Sequence, residues 1–95
     1  MTRDWTFLSA HGHVLLAITR NPDARLRDIA AEVGVTERTV ATVLGDLVEA
    51  GYVTRRKEGR RNHYDVHPDL PLRHSQQADV DVGGLLQLLG SPHDQ

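Results

Sequence analysis

The chain has 95 residues, with 11 Lys or Arg, 13 Asp or Glu, a formal net charge of −2 and no cysteine. This length supports a single domain, which buries roughly 60–65% of the surface of the unfolded chain. Without cysteine the chain has neither a disulfide framework nor a thiolate metal site, which is typical of a reducing compartment. The apolar stretch Val14–Ile18 is too short for a signal-peptide core or a membrane span, and we therefore expect a cytoplasmic protein.

Two helices are predicted in the first third of the chain. Ser9 is a good N-cap for the first helix, which ends at the turn-forming pair Asn21-Pro22. A short second helix is predicted over about 28–33, with Arg27 at its N-cap. Both helices have apolar residues at the spacing of a core-facing side, and we therefore expect them to pack together.

A third helix is predicted over about 36–50, with Thr36 as its N-cap. Its apolar residues follow the spacing of a core-facing stripe and are Val40, Val43, Leu44, Leu47 and Val48. Arg38 and Thr42 lie on the opposite side, with Thr39 beside them, whereas the C-terminal half of that side is acidic. This polarity suits a helix that inserts its first turns into the major groove of DNA and keeps its far end away from the phosphates.

A β-hairpin is predicted next, with strands over 52–57 and 60–66 around a Glu58-Gly59 turn. This register turns Val53 and Tyr64 toward the core. It also places like charges opposite each other, Lys57 with Arg60 and Arg56 with Arg61. Such pairs are unfavourable by up to about 1 kcal/mol each, which an anionic partner would turn into attraction. The alternative is that these long side chains extend into water at little cost.

The charge distribution supports an anionic partner despite the negative total. Residues 55–61 contain five cations and one acid, a local charge of +4, whereas residues 65–95 contain one cation and five acids, a local charge of −4. A basic hairpin tip beside a protruding helix is typical of proteins that bind duplex DNA. We therefore predict that the tip contacts phosphates or the minor groove.

The stretch RDIAAEVGVTERTVATVLGDLVEAGYV resembles the helix-turn-helix of winged-helix transcription regulators of the MarR and ArsR type, and GYVTRRKEGRRNHY resembles their wing. Arg27 departs from the Ser or Thr common at its position in that family and becomes a candidate phosphate contact. The resemblance implies a homodimer on a pseudo-palindromic operator, usually for repression. The fold expected is mainly α with a small β-hairpin (α+β), a winged helix-turn-helix with a three-helix core, a wing and a short C-terminal helix. The predicted DNA-binding residues are Arg27, Thr36, Arg38, Thr39, Thr42, Arg55, Arg56, Lys57, Arg60 and Arg61.

The two ends of the chain provide apolar residues for a dimer. We divide the domain into an N-terminal arm (1–8), a winged-helix core (9–66), a linker (67–78) and a C-terminal helix (79–90) capped by Asp79 or Asp81. A helix this short is marginal in water and must pack on something. We assign it to a dimer interface, the alternative being that it packs on its own first helix. The predicted dimerisation residues are Trp5, Phe7, Leu85, Leu86 and Leu89.

The six histidines do not form a recognisable metal site in the sequence. His63 and His67 are four residues apart on a strand and its exit, where they point differently, and no cysteine accompanies them. We therefore predict no metal ligand, no cofactor and no catalytic residue, and we expect no enzyme. Two alternatives to a DNA-binding regulator stay open: a winged-helix module for protein interaction, and a sensor of a small molecule or metal with its effector site at the dimer interface.

Overall fold

The computed structural model of the protein describes residues 5–90. Its elements are α1 (Ala10–Arg20), α2 (Leu26–Val33), α3 (Glu37–Glu49), β1 (Val53–Glu58), β2 (Arg61–Val66), a 3-10 turn (Ser75–Gln77) and α4 (Val82–Gly90). The strands form a two-stranded antiparallel hairpin. The predicted fold class, mainly helical with a small hairpin, is confirmed. Over residues 5–90, no helix has the length and apolar character needed to cross a membrane.

Helix α1 lies at the centre of the fold and contacts α2, α3, α4 and β2. Its residues Val14–Ile18 are all buried, because neighbours cover the helix on every side over this stretch. From the other elements, Ile29, Val40 and Leu44 pack into the same core with almost no exposed surface. Burying one side chain of this size stabilises the folded state by roughly 1.5–3 kcal/mol.

Local capping explains where α1 and α3 begin. The hydroxyl oxygen of Ser9 accepts a hydrogen bond from the backbone N–H of Gly12 at 3.3 Å. That of Thr36 accepts one from the N–H of Thr39 at 3.1 Å. Each bond satisfies an N–H that has no partner inside its helix. Both predicted N-caps are confirmed.

The predicted start of α2 is wrong by two residues. Arg25, and not Arg27, is its N-cap, and Leu26 is already helical. The carbonyl oxygen of Arg25 accepts a hydrogen bond from the N–H of Ile29 at 3.0 Å, so the first helical turn begins two residues before the predicted start. The side chain of Arg25 makes no capping bond, and no capping residue therefore marks this start in the sequence.

The predicted register of the hairpin is also wrong. Glu58 lies opposite Arg61, Lys57 opposite Asn62, and Arg56 opposite His63. The turn is therefore Gly59-Arg60, with Gly59 at a φ of 65° in the first central position, where type II′ turns favour glycine. The two rungs of like charge that the sequence analysis proposed do not form. Each β1 residue is paired with a β2 residue two positions later than predicted. A displacement of two residues leaves every side chain on the same face of the hairpin, and Val53 and Tyr64 are therefore buried as expected.

The chain after the hairpin folds back on the core. The hydroxyl of Tyr52 donates to the carbonyl oxygen of Pro71. Pro71 also forms an isolated antiparallel β-bridge with Asp81. The carboxylate of Asp81 then caps α4 by accepting from the N–H of Gly84 at 2.9 Å. Of the two caps considered in the sequence analysis, Asp81 is therefore the one used.

Helix α4 packs on α1 of its own chain. Val82 and Leu86 are 3% and 7% exposed, and the guanidinium of Arg20 donates to the carbonyl oxygen of Leu89 at 3.1 Å. The assignment of Leu86 to a dimer interface is therefore wrong, because α1 already covers its side chain. Leu88, which the sequence analysis did not select, is 78% exposed.

Candidate nucleic-acid interface

The N-terminal half of α3 presents Arg38 and Thr42 to solvent. Within residues 5–90, Arg38 makes no ion pair. Thr39 is half-buried, and its hydroxyl oxygen accepts from the hydroxyl of Thr36 at 3.0 Å. Thr36 and Thr39 are therefore engaged with each other at the helix start, whereas Arg38 and Thr42 keep their polar groups available.

The C-terminal half of α3 is acidic, and part of that charge is held by α1. The carboxylate of Asp46 pairs with the imidazole of His11 at 2.8 Å, and both side chains remain about half exposed. Glu49 lies one turn further on and is exposed. The helix thus has one end with an available cation and one end with negative charge, as the sequence pattern predicted.

The five cations of the wing, residues 53–66, are divided between two faces of the hairpin. Arg55 and Lys57 share the face of the buried Tyr64, whereas Arg56 and Arg61 lie on the opposite face and Arg60 lies in the turn. All five are exposed. The wing therefore carries cations around its tip instead of along a single side.

Arg56 differs from the other four cations because it is paired within the wing. Its Nε donates to Asp65 at 2.6 Å, and a terminal nitrogen donates to Glu58 at 2.7 Å. The hydrogen bonds from Asp65 and then Glu58 raise the pKa of Arg56, and Arg56 in turn lowers the pKa of Asp65. In the part of the chain that the structure describes, the other four cations form no ion pair.

Arg27 lies in the first turn of α2 and is exposed. Like Arg38, it forms no ion pair with any of the described residues. No described contact joins it to α3 or to the wing. Its role as a phosphate contact therefore stays a prediction.

A polar cluster that the sequence analysis missed joins the wing to the loop between α1 and α2. The imidazole Nδ1 of His63 lies 2.6 Å from Asp23, and its Nε2 lies 3.3 Å from Asp65. The hydrogen bond with Asp23 is the main cause of a raised pKa of His63. Ligand atoms of Asp23, Glu58 and His63 all lie within 4.8 Å of one another, as metal ligands would. Forty positions separate His63 from Asp23, so sequence spacing gave no signal.

Exposed apolar side chains lie at both ends of the described chain. Trp5 and Phe7 are 66% and 93% exposed and pack edge to face, with ring centroids 5.1 Å apart. Leu89 is also exposed, and Leu85 is half-buried. The predicted dimerisation residues other than Leu86 therefore keep surface that a second chain could cover.

A cavity of about 580 Å³ lies where α1, α2 and the end of α4 meet. Its lining includes the apolar residues Leu8, Leu16, Val33 and Leu89 and the polar residues His13 and Arg20. Arg20 also lies 3.7 Å from Glu32, another lining residue. The cavity combines apolar walls with a few polar groups, as small-molecule sites do.

The family model of the MarR family matches residues 6–61, which include α1, the helix-turn-helix and most of the wing. The chain belongs to the MarR family. A comparison with curated proteins finds no match.

Among solved structures, this MarR-family chain is similar to the PcaV transcriptional regulator from Streptomyces coelicolor. The complex of PcaV with its natural ligand shares 25% identity over 63% of this chain and 45% of that one, with a TM-score of 0.55. A second PcaV structure shares 26% identity over 62% of this chain and 46% of that one, with a TM-score of 0.53. The chain spans slightly under half the length of the PcaV chains. The winged helix expected from the sequence is confirmed by these matches.

Proposed function

We propose that this MarR-family chain is a transcription regulator that binds double-stranded DNA through α3 and the wing. The observation that carries the proposal is the exposed cation Arg38 near the start of α3, together with a hairpin that carries four further cations without an ion pair among the described residues. Helix α3 contacts β1, and we propose that the outer side of the helix and the wing bind the same duplex. Membership of a family of regulators also supports the expectation that the chain is not an enzyme.

In this proposal α3 lies in the major groove and reads bases. The Arg38 guanidinium is suited to a bidentate contact with O6 and N7 of guanine, and Thr42 is suited to the methyl group of thymine. Thr36 and Thr39 lie at the N-terminus of α3, where hydroxyl and backbone N–H groups bind phosphates. The wing cations Arg55, Lys57, Arg60 and Arg61 would then neutralise phosphates on either side or enter the minor groove.

Selection of bound sites from a random pool of DNA duplexes tests sequence-specific binding. We expect enrichment of a pseudo-palindromic site, and we expect affinity for it to fall steeply as salt is raised, because bound cations release counterions from the phosphates. Recovery of no preferred sequence, with binding insensitive to salt, would instead favour a module for protein interaction in which the basic tip serves solubility.

Two copies of the chain are needed in this proposal because one helix with one outward cation reads few base pairs. Fixing two such helices about 34 Å apart doubles the contacts and matches half-sites one DNA turn apart. The exposed side chains of Trp5, Phe7, Leu88 and Leu89 provide apolar surface for that association.

Sedimentation of variants at these exposed positions tests the dimer without disturbing the core. Phe7→Ser and Leu88→Ser together should convert a dimer to a monomer that keeps the helical circular dichroism of the parent. They should also weaken operator binding. Val80→Ser is a matched control, because Val80 is exposed and lies outside the proposed interface. A double variant that stays dimeric would place the interface elsewhere.

The cavity between α1, α2 and α4 is a candidate effector site. PcaV, to which this chain is similar, is described in complex with its natural ligand. The volume of about 580 Å³ suits a small organic molecule. Because Leu89 borders both the cavity and the exposed C-terminal surface, a bound molecule would act where the proposed dimer forms. A compound that saturably releases DNA from the parent, and not from Leu16→Trp with its filled cavity, would identify the effector site.

A further inference from the structure

His63 is held between carboxylates on both of its ring nitrogens. Nδ1 lies 2.6 Å from Asp23, which belongs to the loop before α2. Nε2 lies 3.3 Å from Asp65, which lies in β2 as His63 does. The backbone N–H of Tyr64 donates to the carbonyl oxygen of Pro22 at 2.9 Å, which aligns this loop with the free edge of β2. The position of the imidazole is thus determined by the backbone as well as by its own contacts.

The charges around His63 favour a cation. Arg61 lies opposite Glu58 but forms no ion pair with any described residue. Among the residues that form ion pairs around His63, Asp23, Glu58 and Asp65 contribute three negative charges and Arg56 one positive charge, a sum of −2 while the imidazole is neutral. A divalent ion would bring this sum to zero. The group is therefore acidic and lies beside the basic segment 55–61, to which Arg56 and Glu58 belong.

The arrangement of donors matches a metal site with an oriented histidine. Asp23, Glu58 and His63 offer two carboxylates and one imidazole nitrogen within 4.8 Å of one another. Asp65 lies outside this set, 3.3 Å from Nε2, the ring nitrogen that does not contact Asp23. Histidines that ligate metals commonly donate their second N–H to a carboxylate, which fixes the tautomer and turns the free nitrogen to the ion.

We propose that Asp23, Glu58 and His63 form a site for a divalent transition-metal ion such as Zn²⁺, with Asp65 positioning the imidazole. Imidazole and carboxylate are ligands of this class of ion, and a water molecule would complete a four-coordinate shell. The ion binds the lone pair of Nδ1 on the neutral imidazole, whose proton lies on Nε2; where the ring is protonated, the proton on Nδ1 passes to solvent. Glu58 has two oxygens and can keep its contact with Arg56 through one of them.

The consequence is a cross-link between the wing and the helical core. Glu58 ends β1, His63 lies in β2, and Asp23 lies between α1 and α2. An ion bound by all three restricts the movement of the hairpin relative to α1 and α2. This inference concerns the support of the wing and does not depend on DNA as the partner.

Titration calorimetry of the untagged full chain with Zn²⁺ alone, near neutral pH and without DNA, tests the site. We expect saturable binding of one ion per chain and a rise of the melting temperature with Zn²⁺. Co²⁺ should give the visible absorption of a four-coordinate nitrogen and oxygen site. Proton release should appear as a binding heat that depends on the ionisation enthalpy of the buffer.

Substitutions locate the ion. His63→Gln and Asp23→Asn should abolish binding, and Asp65→Asn should weaken it about 10–100-fold through the orientation of the imidazole. His67→Gln and His74→Gln are controls that should bind as the parent does. Because Asp23 is exposed, Asp23→Asn tests the site even where His63→Gln affects folding. Absence of saturable Zn²⁺ binding, or equal binding by the parent and the Asp23→Asn variant, would overturn the proposal. Neither result would bear on the proposed DNA function.

Discussion

Helix α3 and the wing present cations in different ways. In α3 a single available cation, Arg38, is carried by a helix whose other side is buried through Val40, Val43, Leu44 and Leu47. In the wing five cations surround a hairpin that is buried mainly at its base, and one of them, Arg56, is paired internally. A rigid helix suits the placement of one side chain against a base edge. Several exposed cations suit a phosphate backbone, where distance matters more than geometry.

The difference also concerns what holds each region in place. The start of α3 is determined by a cap between neighbours in the sequence, Thr36 and Thr39. The wing is held by contacts with the distant loop between α1 and α2: Tyr64 bonds to Pro22 through the backbone, and His63 bonds to Asp23 through its side chain. The start of the proposed reading element is therefore determined by neighbouring residues, whereas the position of the proposed phosphate-binding element depends on a distant loop.

The largest effect is expected from the buried side of α3. Leu44 is 1% exposed, and Leu44→Ala should lower the free energy of unfolding by about 2–5 kcal/mol through lost burial and a cavity. The control Leu88→Ala should change it by less than about 0.5 kcal/mol, because Leu88 is 78% exposed. Urea denaturation followed by circular dichroism measures both. Similar losses in the two variants would contradict the assignment of α3 as the rigid element.

A smaller effect is expected from the outer side of α3. Arg38→Ala should weaken binding to the selected operator by about 1–3 kcal/mol and weaken binding to random duplex DNA much less. The physical reason is that a bidentate guanine contact is lost while most phosphate contacts remain. Fluorescence anisotropy at one fixed salt concentration measures both affinities. Equal losses on the two DNAs would make Arg38 a phosphate contact and remove the distinction drawn between α3 and the wing.

The smallest effect for each residue is expected in the wing, where it should be independent of DNA sequence. Replacing Arg60 and Arg61 with Ala should reduce the slope of log affinity against log salt by about one unit for each lost phosphate contact. Arg73→Ala is a matched control, since Arg73 is an exposed arginine outside the wing and the recognition helix.

Arg56→Ala sharpens the same experiment. Because Arg56 already pairs with Asp65 and Glu58, its loss removes less available positive charge and frees two carboxylates beside the wing. We expect a smaller change of the salt slope than for either Arg60→Ala or Arg61→Ala alone. A change as large as theirs would show that Arg56 leaves its carboxylates for phosphate in the complex.

Two errors of the sequence-based predictions fall where the local signals are absent or ambiguous. The start of α2 was misplaced because Arg25 has no side-chain capping bond. The hairpin turn was misplaced by one residue because Glu58-Gly59 and Gly59-Arg60 both put glycine in a two-residue turn. In the observed register Glu58 lies opposite Arg61, so this rung has opposite charges where two cations were expected.

Local chemistry in the sequence was enough to determine the helix-turn-helix, the caps at Ser9 and Thr36, the buried side of α3 and the outward position of Arg38. Each depends on residues within a few positions of one another, where helical periodicity and capping operate. The packing of Leu86 on α1, the pairing of Arg56 within the wing, and the meeting of Asp23 with His63 were decided by the tertiary structure alone. These contacts join segments that are far apart in the chain, where helical periodicity gives no signal. They form because α4 and β2 both pack on α1, which brings the C-terminal helix, the wing and the α1–α2 loop together.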